Sequence, residues 1–242
     1  MIDFFSALFS YGFIIRAFIA GTLISLCASL LGIVLVLKRF SMIGDGLSHV
    51  GFGTMAVAMA FNWAPLAVSV PVCILAAFLL LRVSASSSGV KGDAAIALIS
   101  SSALAIGIIV TSVTSGLNTD VTAFMFGSIL AISRTDVIIS VTLGAVVISL
   151  FVLLYNRIFL VTFDESFATA SGIRSSAYNA LVAVLTALTV VVGMRLMGAM
   201  MISSLIVFPA LSAMRVFKSF LKVVVCAAVL SIVCFTAGMT VS

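Results

Sequence analysis

Charge is scarce in this chain. Only 8% of its 242 residues are Asp, Glu, Lys or Arg, 64% are hydrophobic, and the mean hydropathy is +1.43. A soluble domain carries roughly a quarter charged residues and about half apolar ones. Surface-to-volume scaling gives a soluble fold of this length no way to hide such an excess of apolar surface. A lipid solvent removes the difficulty, because a spanning helix asks for about 20 mostly apolar residues. Histidine occurs once, tryptophan once and proline three times. One histidine, with no serine at a recognisable nucleophile elbow, leaves little for an intramembrane hydrolase to work with. The sequence has no GxxxxGK[ST] phosphate loop, so any ATP-driven step belongs to another polypeptide. Cys27, Cys73, Cys226 and Cys234 form no CxxC pair and fall within apolar stretches. They suggest buried packing and no disulfide framework. Asp3, without a basic cluster, precedes the first apolar stretch, and equally apolar stretches continue to the end, which argues against a signal peptide.

Cutting the remaining sequence at charges and turn residues gives about eight apolar segments, near 17–37, 43–61, 65–82, 94–114, 136–156, 177–193, 196–214 and 223–241. The fold expected is all-α, a polytopic transmembrane bundle in one domain over residues 1–242. Met1 to Tyr11, with Phe4, Phe5, Leu8, Phe9 and Tyr11, reads as an aromatic interfacial segment. Val121 to Leu130 is too short to cross and reads as a re-entrant or surface helix.

Placing the N-terminus outside collects Lys38, Arg39, Arg82, Lys91, Arg157, Arg174, Arg215, Lys218 and Lys222 on one side and leaves Arg16, Arg134 and Arg195 on the other. The nine-residue side is therefore cytoplasmic. The net charge of +5 reflects this bias and contact with anionic membrane lipid, and does not point to nucleic acid.

Ionisable residues inside spans are costly and so informative. Asp45 and His49 lie in Met42-Ile43-Gly44-Asp45-Gly46-Leu47-Ser48-His49-Val50-Gly51-Phe52-Gly53. A spacing of four stacks both side chains on one helical face. There they can hydrogen-bond each other to fix a helix interface, relay a proton, or share a divalent cation. Glycines at 44, 46, 51 and 53 let another helix come close and leave room for a passing ion. One chain offers two ligands. A symmetric dimer would offer two Asp and two His, which suits Zn²⁺ directly, whereas Mn²⁺ would want added oxygens from water or serine.

Two further segments stand out. In Phe163-Asp164-Glu165-Ser166-Phe167-Ala168-Thr169-Ala170-Ser171-Gly172-Ile173-Arg174, the acids suit the first turn of a short helix and Gly172 its C-terminal cap. Phe163, Phe167, Ala168 and Ala170 offer a small apolar face, either an ordinary connector or a docking knob for a partner protein. In Met197 to Ala210, Pro209 is expected to kink or break its helix. Ser203 and Ser204 can satisfy freed carbonyls or line a polar path, and with Ser48 and Pro209 they are candidates for pore or gating positions. Met194, Met197, Met200 and Met201 form a thioether-rich stretch that could attract a soft metal such as Cu(I), although helical packing explains it more simply.

Gly44-Asp45-Gly46-Leu47-Ser48-His49, the Asp164–Gly172 loop, and Gly198 through Pro209-Ala210 with Ala213 occur together in this order. Lys38-Arg39 and Phe126-Gly127-Ser128-Ile129-Leu130 accompany them. In this the chain resembles the permease subunits of metal-ion ABC importers, the zinc/manganese/iron permease family, over nearly its whole length. The resemblance implies a homodimeric helical permease coupled to two copies of a separate ATPase and fed by an extracytoplasmic metal-binding protein. It implies Asp45 and His49 as pore ligands, and Asp164, Glu165, Ala168 and Gly172 as the loop seated in the ATPase. Zn²⁺ or Mn²⁺ would be cargo, with no permanently bound cofactor.

Two departures from the family are visible. Val50-Gly51-Phe52-Gly53 replaces a proline and glycine common after the motif histidine, so the outer end of the second span is expected to bend differently. The sequence stops at Thr240-Val241-Ser242, where the family continues through another span, so a final helix is expected to be missing. The rival function is a gradient-driven secondary metal or proton-coupled transporter with Asp45–His49 as its relay, although no inverted repeat with paired broken helices emerges. A purely structural scaffold would leave the intramembrane Asp–His pair unexplained. One Asp and one His per chain lean towards zinc, but manganese shares the family and the pair.

Overall fold

The computed structural model describes residues 12–85, 92–114, 126–127 and 132–241. Within them run helices α1 (Gly12–Leu37), α2 (Ile43–Ala60), α3 (Pro65–Ala85), α4 (Gly92–Val113) and α5 (Arg134–Leu153), then the short α6 (Tyr155–Phe163) and α7 (Glu165–Ala170), then α8 (Ser175–Met197), α9 (Ala199–Val216) and α10 (Phe220–Val241). No strand occurs among the described residues. An all-helical answer follows from lipid chemistry, since a helix satisfies its own backbone hydrogen bonds where water cannot. The Met1–Tyr11 segment, Lys91 and, apart from Phe126 and Gly127, the Val121–Leu130 piece lie outside the described residues.

Among the described residues, seven helices are long and apolar enough to cross a bilayer. The eighth expected span, α2, has 18 residues but is diluted by Asp45, His49 and its glycines. It tolerates them because most of it faces protein. Twelve of its residues are buried, including Gly44, Gly46, Leu47, Ser48 and Phe52. α1 and α8 are equally central, with 72% of their apolar windows buried, against 22–39% for α3, α4, α5, α9 and α10. The outer helices face lipid with what remains, which is why apolar residues cover all their sides and no polar face appears.

Small residues set the helix spacing. A Cβ on Gly32 would stand 1.9 Å from the Ile206 carbonyl oxygen, so α1 and α9 touch backbone to backbone. The motif glycines each admit a neighbour: Gly44 faces Ile206, Gly46 faces Ile96, Gly51 faces Met194, and Gly53 faces the Ala103 carbonyl. Close helix approach is thus as expected, but three helices (α4, α8 and α9) fill the space, so these glycines leave no channel of their own.

Boundaries differ from expectation at two places. α8 continues through Arg195 to Met197 and stops at Gly198, whose φ of 86° favours glycine. Arg195 does not end the helix because its Nη1 meets Asp136 Oδ1 at 3.1 Å. Pro209 does not break α9, which runs unbroken from Ala199 to Val216. α2 likewise continues through Val50-Gly51-Phe52-Gly53 to Ala60. The cysteines are mixed, with Cys27 and Cys73 buried but Cys234 exposed.

Candidate functional site

The site starts from the turn that joins α1 to α2. Lys38 N bonds Val34 O at 3.0 Å, Phe40 N bonds Leu35 O at 2.8 Å, and Ile43 N bonds Phe40 O at 3.0 Å. Arg39 sits at φ 63° in this turn. The connection is tight, and α2 begins at Ile43 with Asp45 in its first turn.

Asp45 Oδ2 and His49 Nε2 are 3.6 Å apart, one helical turn from each other. That exceeds a good hydrogen bond. Two metal–ligand bonds of about 2.1 Å meeting at a tetrahedral angle would place their donors about 3.4 Å apart, so the pair stands close to the separation a shared cation needs. Ser48, fully buried, donates to Asp45 O at 2.7 Å and lies 3.3 Å from Ser203 Oγ on α9. Ser203 also lies beside the Asp45 carboxylate. Ser204 turns away and donates to Met200 O at 2.8 Å. The structure therefore brings Asp45, Ser48, His49 and Ser203 together and leaves Ser204 out. Pro209 is buried six residues beyond Ser203 on α9.

The depth of the pair follows from α8. Lys38 hydrogen-bonds Asn179 near the start of α8, whereas Gly51 faces Met194, 15 residues further along that helix. At about 1.5 Å per residue this spans roughly 22 Å. Asp45 and His49 fall between these levels, part-way along the bundle. The pair is not sealed, since the Asp45 side chain is 47% exposed and that of His49 18%. Among the described residues no group of three or more His, Cys, Asp or Glu side chains could hold a metal. Asp45 and His49 are thus a pair without a third such side chain among the described residues.

The charged loop folds as read, with one difference. Asp164 is the N-cap rather than a first-turn residue, its side chain accepting from Phe167 N at 2.8 Å. The helix closes with Gly172 at φ 80°, Gly172 N to Thr169 O and Ile173 N to Ala168 O each at 3.0 Å, a Schellman cap. Ala168 is buried and seats α7 on the bundle, so it does not belong to the exposed apolar face, which Phe163, Phe167 and Ala170 form. Glu165 bonds back to the bundle: its Oε2 is 3.4 Å from Lys38 Nζ and its Oε1 accepts from Asn179 Nδ2 at 2.9 Å. Burial pulls the Lys38 ammonium below its ordinary pKa, and the Glu165 charge opposes that. Neither Lys38's partner nor that of Arg195 could be read from the sequence, because 127 residues separate Lys38 from Glu165 and no local spacing joins them.

The methionines diverge. Met194 and Met197 are buried, while Met200 is 49% exposed. Met197 and Met201 line an apolar cavity of about 100 Å³ with Phe126, Phe235 and Met239, which fits packing.

Comparison with known proteins places these features in context. The model of the ABC 3 transport family matches residues 10–242. The chain is 28% identical over 237 residues to a manganese transport system membrane protein, MntC, of Halalkalibacterium halodurans, covering 98% of this chain and 80% of that one. It is 29% identical over 236 residues to the high-affinity zinc uptake system membrane protein ZnuB of Buchnera aphidicola, covering 95% and 87%. Among solved structures, PsaBC from Streptococcus pneumoniae in complex with Fab superposes with a TM-score of 0.83 at 28% identity, over 96% of this chain and 84% of the other.

Proposed function

The chain belongs to the ABC 3 transport family, and we propose that it is the permease of an ATP-driven importer of zinc or manganese in which Asp45 and His49 bind the ion in transit. It is a multi-pass protein of the prokaryotic cell (inner) membrane, and its role is transport. The observation that carries the site is the placement of an acceptor pair 3.6 Å apart, part-way along the bundle, with one side open. A half-exposed carboxylate turned to lipid would be costly. A second copy packed on this face removes that cost and completes a four-ligand set of two Asp and two His. The Ser48–Ser203 pair adds hydroxyl oxygens beside it, of the kind Mn²⁺ would use.

The ion is cargo, so a mobile site with few ligands per chain serves release. The ion loses water on entering and regains it on leaving, and Asp45 and His49 replace part of that shell between. An extracytoplasmic metal-binding protein delivers it on the outer face. Energy comes from separate ATP-binding cassette chains seated on α7, where Phe167 and, at the end of α6, Phe163, each 57% exposed, form the contact. Closure of those chains around ATP pulls on α7 and switches a homodimer between outward- and inward-open states.

The test is uptake of radiolabelled Zn²⁺ and Mn²⁺ into proteoliposomes holding the chain with its ATPase and binding protein, wild type against His49→Ala. ATP-dependent uptake that the variant loses supports both importer and site. Uptake without ATP would favour a secondary carrier, and intact uptake in the variant would remove His49 from the path.

A further inference from the structure

We infer that Lys38 is a positioning residue that passes movement of α7 to the helix carrying Asp45 and His49, an inference that rests on α7 as the ATPase-docking helix and α2 as the ion-bearing one. Three side chains from three elements close a ring. Lys38, just past α1, pairs with Glu165 Oε2 at 3.4 Å and donates to Asn179 Oδ1, and Asn179 Nδ2 donates to Glu165 Oε1 at 2.9 Å. The two bonds of Lys38 join elements 127 and 141 residues apart, and the third joins consecutive helices 14 residues apart.

Burial of the cation, though not of the half-exposed Glu165, separates this contact from an ordinary surface ion pair. The Lys38 side chain is only 12% exposed. Its stem shares a small cavity of about 20 Å³ with Phe40, with Asn179 and with Ile43, the first residue of α2. A buried, doubly bonded ammonium holds one geometry, whereas exposed pairs of long side chains hold many.

The link to the ion site is short and stiff. Asp45 follows Lys38 by seven residues, and the intervening turn is hydrogen-bonded at Lys38, Arg39, Phe40 and Ile43. α7 in turn is capped at both ends, so it moves as a unit. A displacement of α7 therefore reaches α2 through one side chain and one tight turn. The covalent route from Glu165 back to Asp45 instead runs through 120 residues. Asn179 anchors the junction to α8, against which the pull is exerted.

The experiment uses the complete importer in proteoliposomes, with Lys38→Met, Lys38→Arg and the exchange Lys38→Glu with Glu165→Lys. It reads metal ions moved per ATP hydrolysed, and ATPase chains retained on purification. We expect Lys38→Met to retain the ATPase chains while the transport ratio falls on the order of tenfold, a typical allosteric coupling factor. Lys38→Arg should keep most of the ratio, and the exchange should recover part of it. An unchanged ratio in Lys38→Met overturns the inference, as does loss of the ATPase chains, which would make Lys38 a docking residue. Phe167→Asp separates the two levels: if it leaves the ATPase chains bound, the docking role of α7 fails, whatever Lys38 does.

Discussion

Arg195 on α8 meets Asp136 on α5 at 3.1 Å, three residues before the helix break at Gly198. Asp136 Oδ2 also accepts from Ser133 N at 3.1 Å and Ser133 Oγ at 2.7 Å, so one carboxylate caps α5 and holds α8. Asp136→Ala should lower the stability of the purified protein by about 1–3 kcal/mol, the range for a lost cap and a stranded charged partner. Asp136→Asn keeps an acceptor for the cap and should cost less. Thermal unfolding in detergent reads the order, and equal loss in the two variants would assign the whole effect to the ion pair.

Asp45→Ala and His49→Ala should each abolish ATP-dependent metal uptake while the variant chain still assembles with its ATPase. Metal binding to the detergent-purified complex, measured directly, should fall in both. A variant that binds the ion as tightly as wild type would show that the removed side chain is no ligand.

The two neighbouring serines should behave differently. Both donate to their own helix, Ser203 to Ala199 O at 2.9 Å and Ser204 to Met200 O at 2.8 Å, but only Ser203 also contacts Ser48 and lies beside Asp45. Ser203→Ala should lower uptake about fivefold, equivalent to one hydrogen bond of about 1 kcal/mol, and Ser204→Ala should leave it unchanged. Equal effects would dissociate Ser203 from the ion path.

Glycine substitutions should sort by contact. Gly53→Ala drives a Cβ to 2.5 Å from the Ala103 carbonyl, a backbone atom that cannot swing away, and should cost about 1–3 kcal/mol or block assembly of the bundle. Gly12→Ala and Gly238→Ala meet nothing within 4 Å and should be silent. Yield and detergent-extracted thermal stability compare them.

Composition alone determined that the chain is a helical membrane protein, because 8% charge leaves no soluble alternative. Span positions were legible to within a few residues, since each long helix must keep to an apolar stretch in lipid. The boundary at Arg195 was misread because a charge ends a span only when it lacks a partner, and Asp136 is supplied from another helix. Pro209 does not break its helix, which runs through it from Ala199 to Val216.

At the candidate site, the i, i+4 spacing alone puts Asp45 and His49 on one face, because helical geometry is local. The local signals at Asp164 and Gly172 likewise marked the ends of α7, since caps involve neighbours in sequence. Tertiary structure alone decided which serine joins the pair, which helices occupy the glycine faces, and that Lys38 closes on Glu165 and Asn179. Those contacts join residues at least 50 positions apart, as Gly53 and Ala103 are, and their choice depends on how whole helices pack, a property no short pattern of residues encodes.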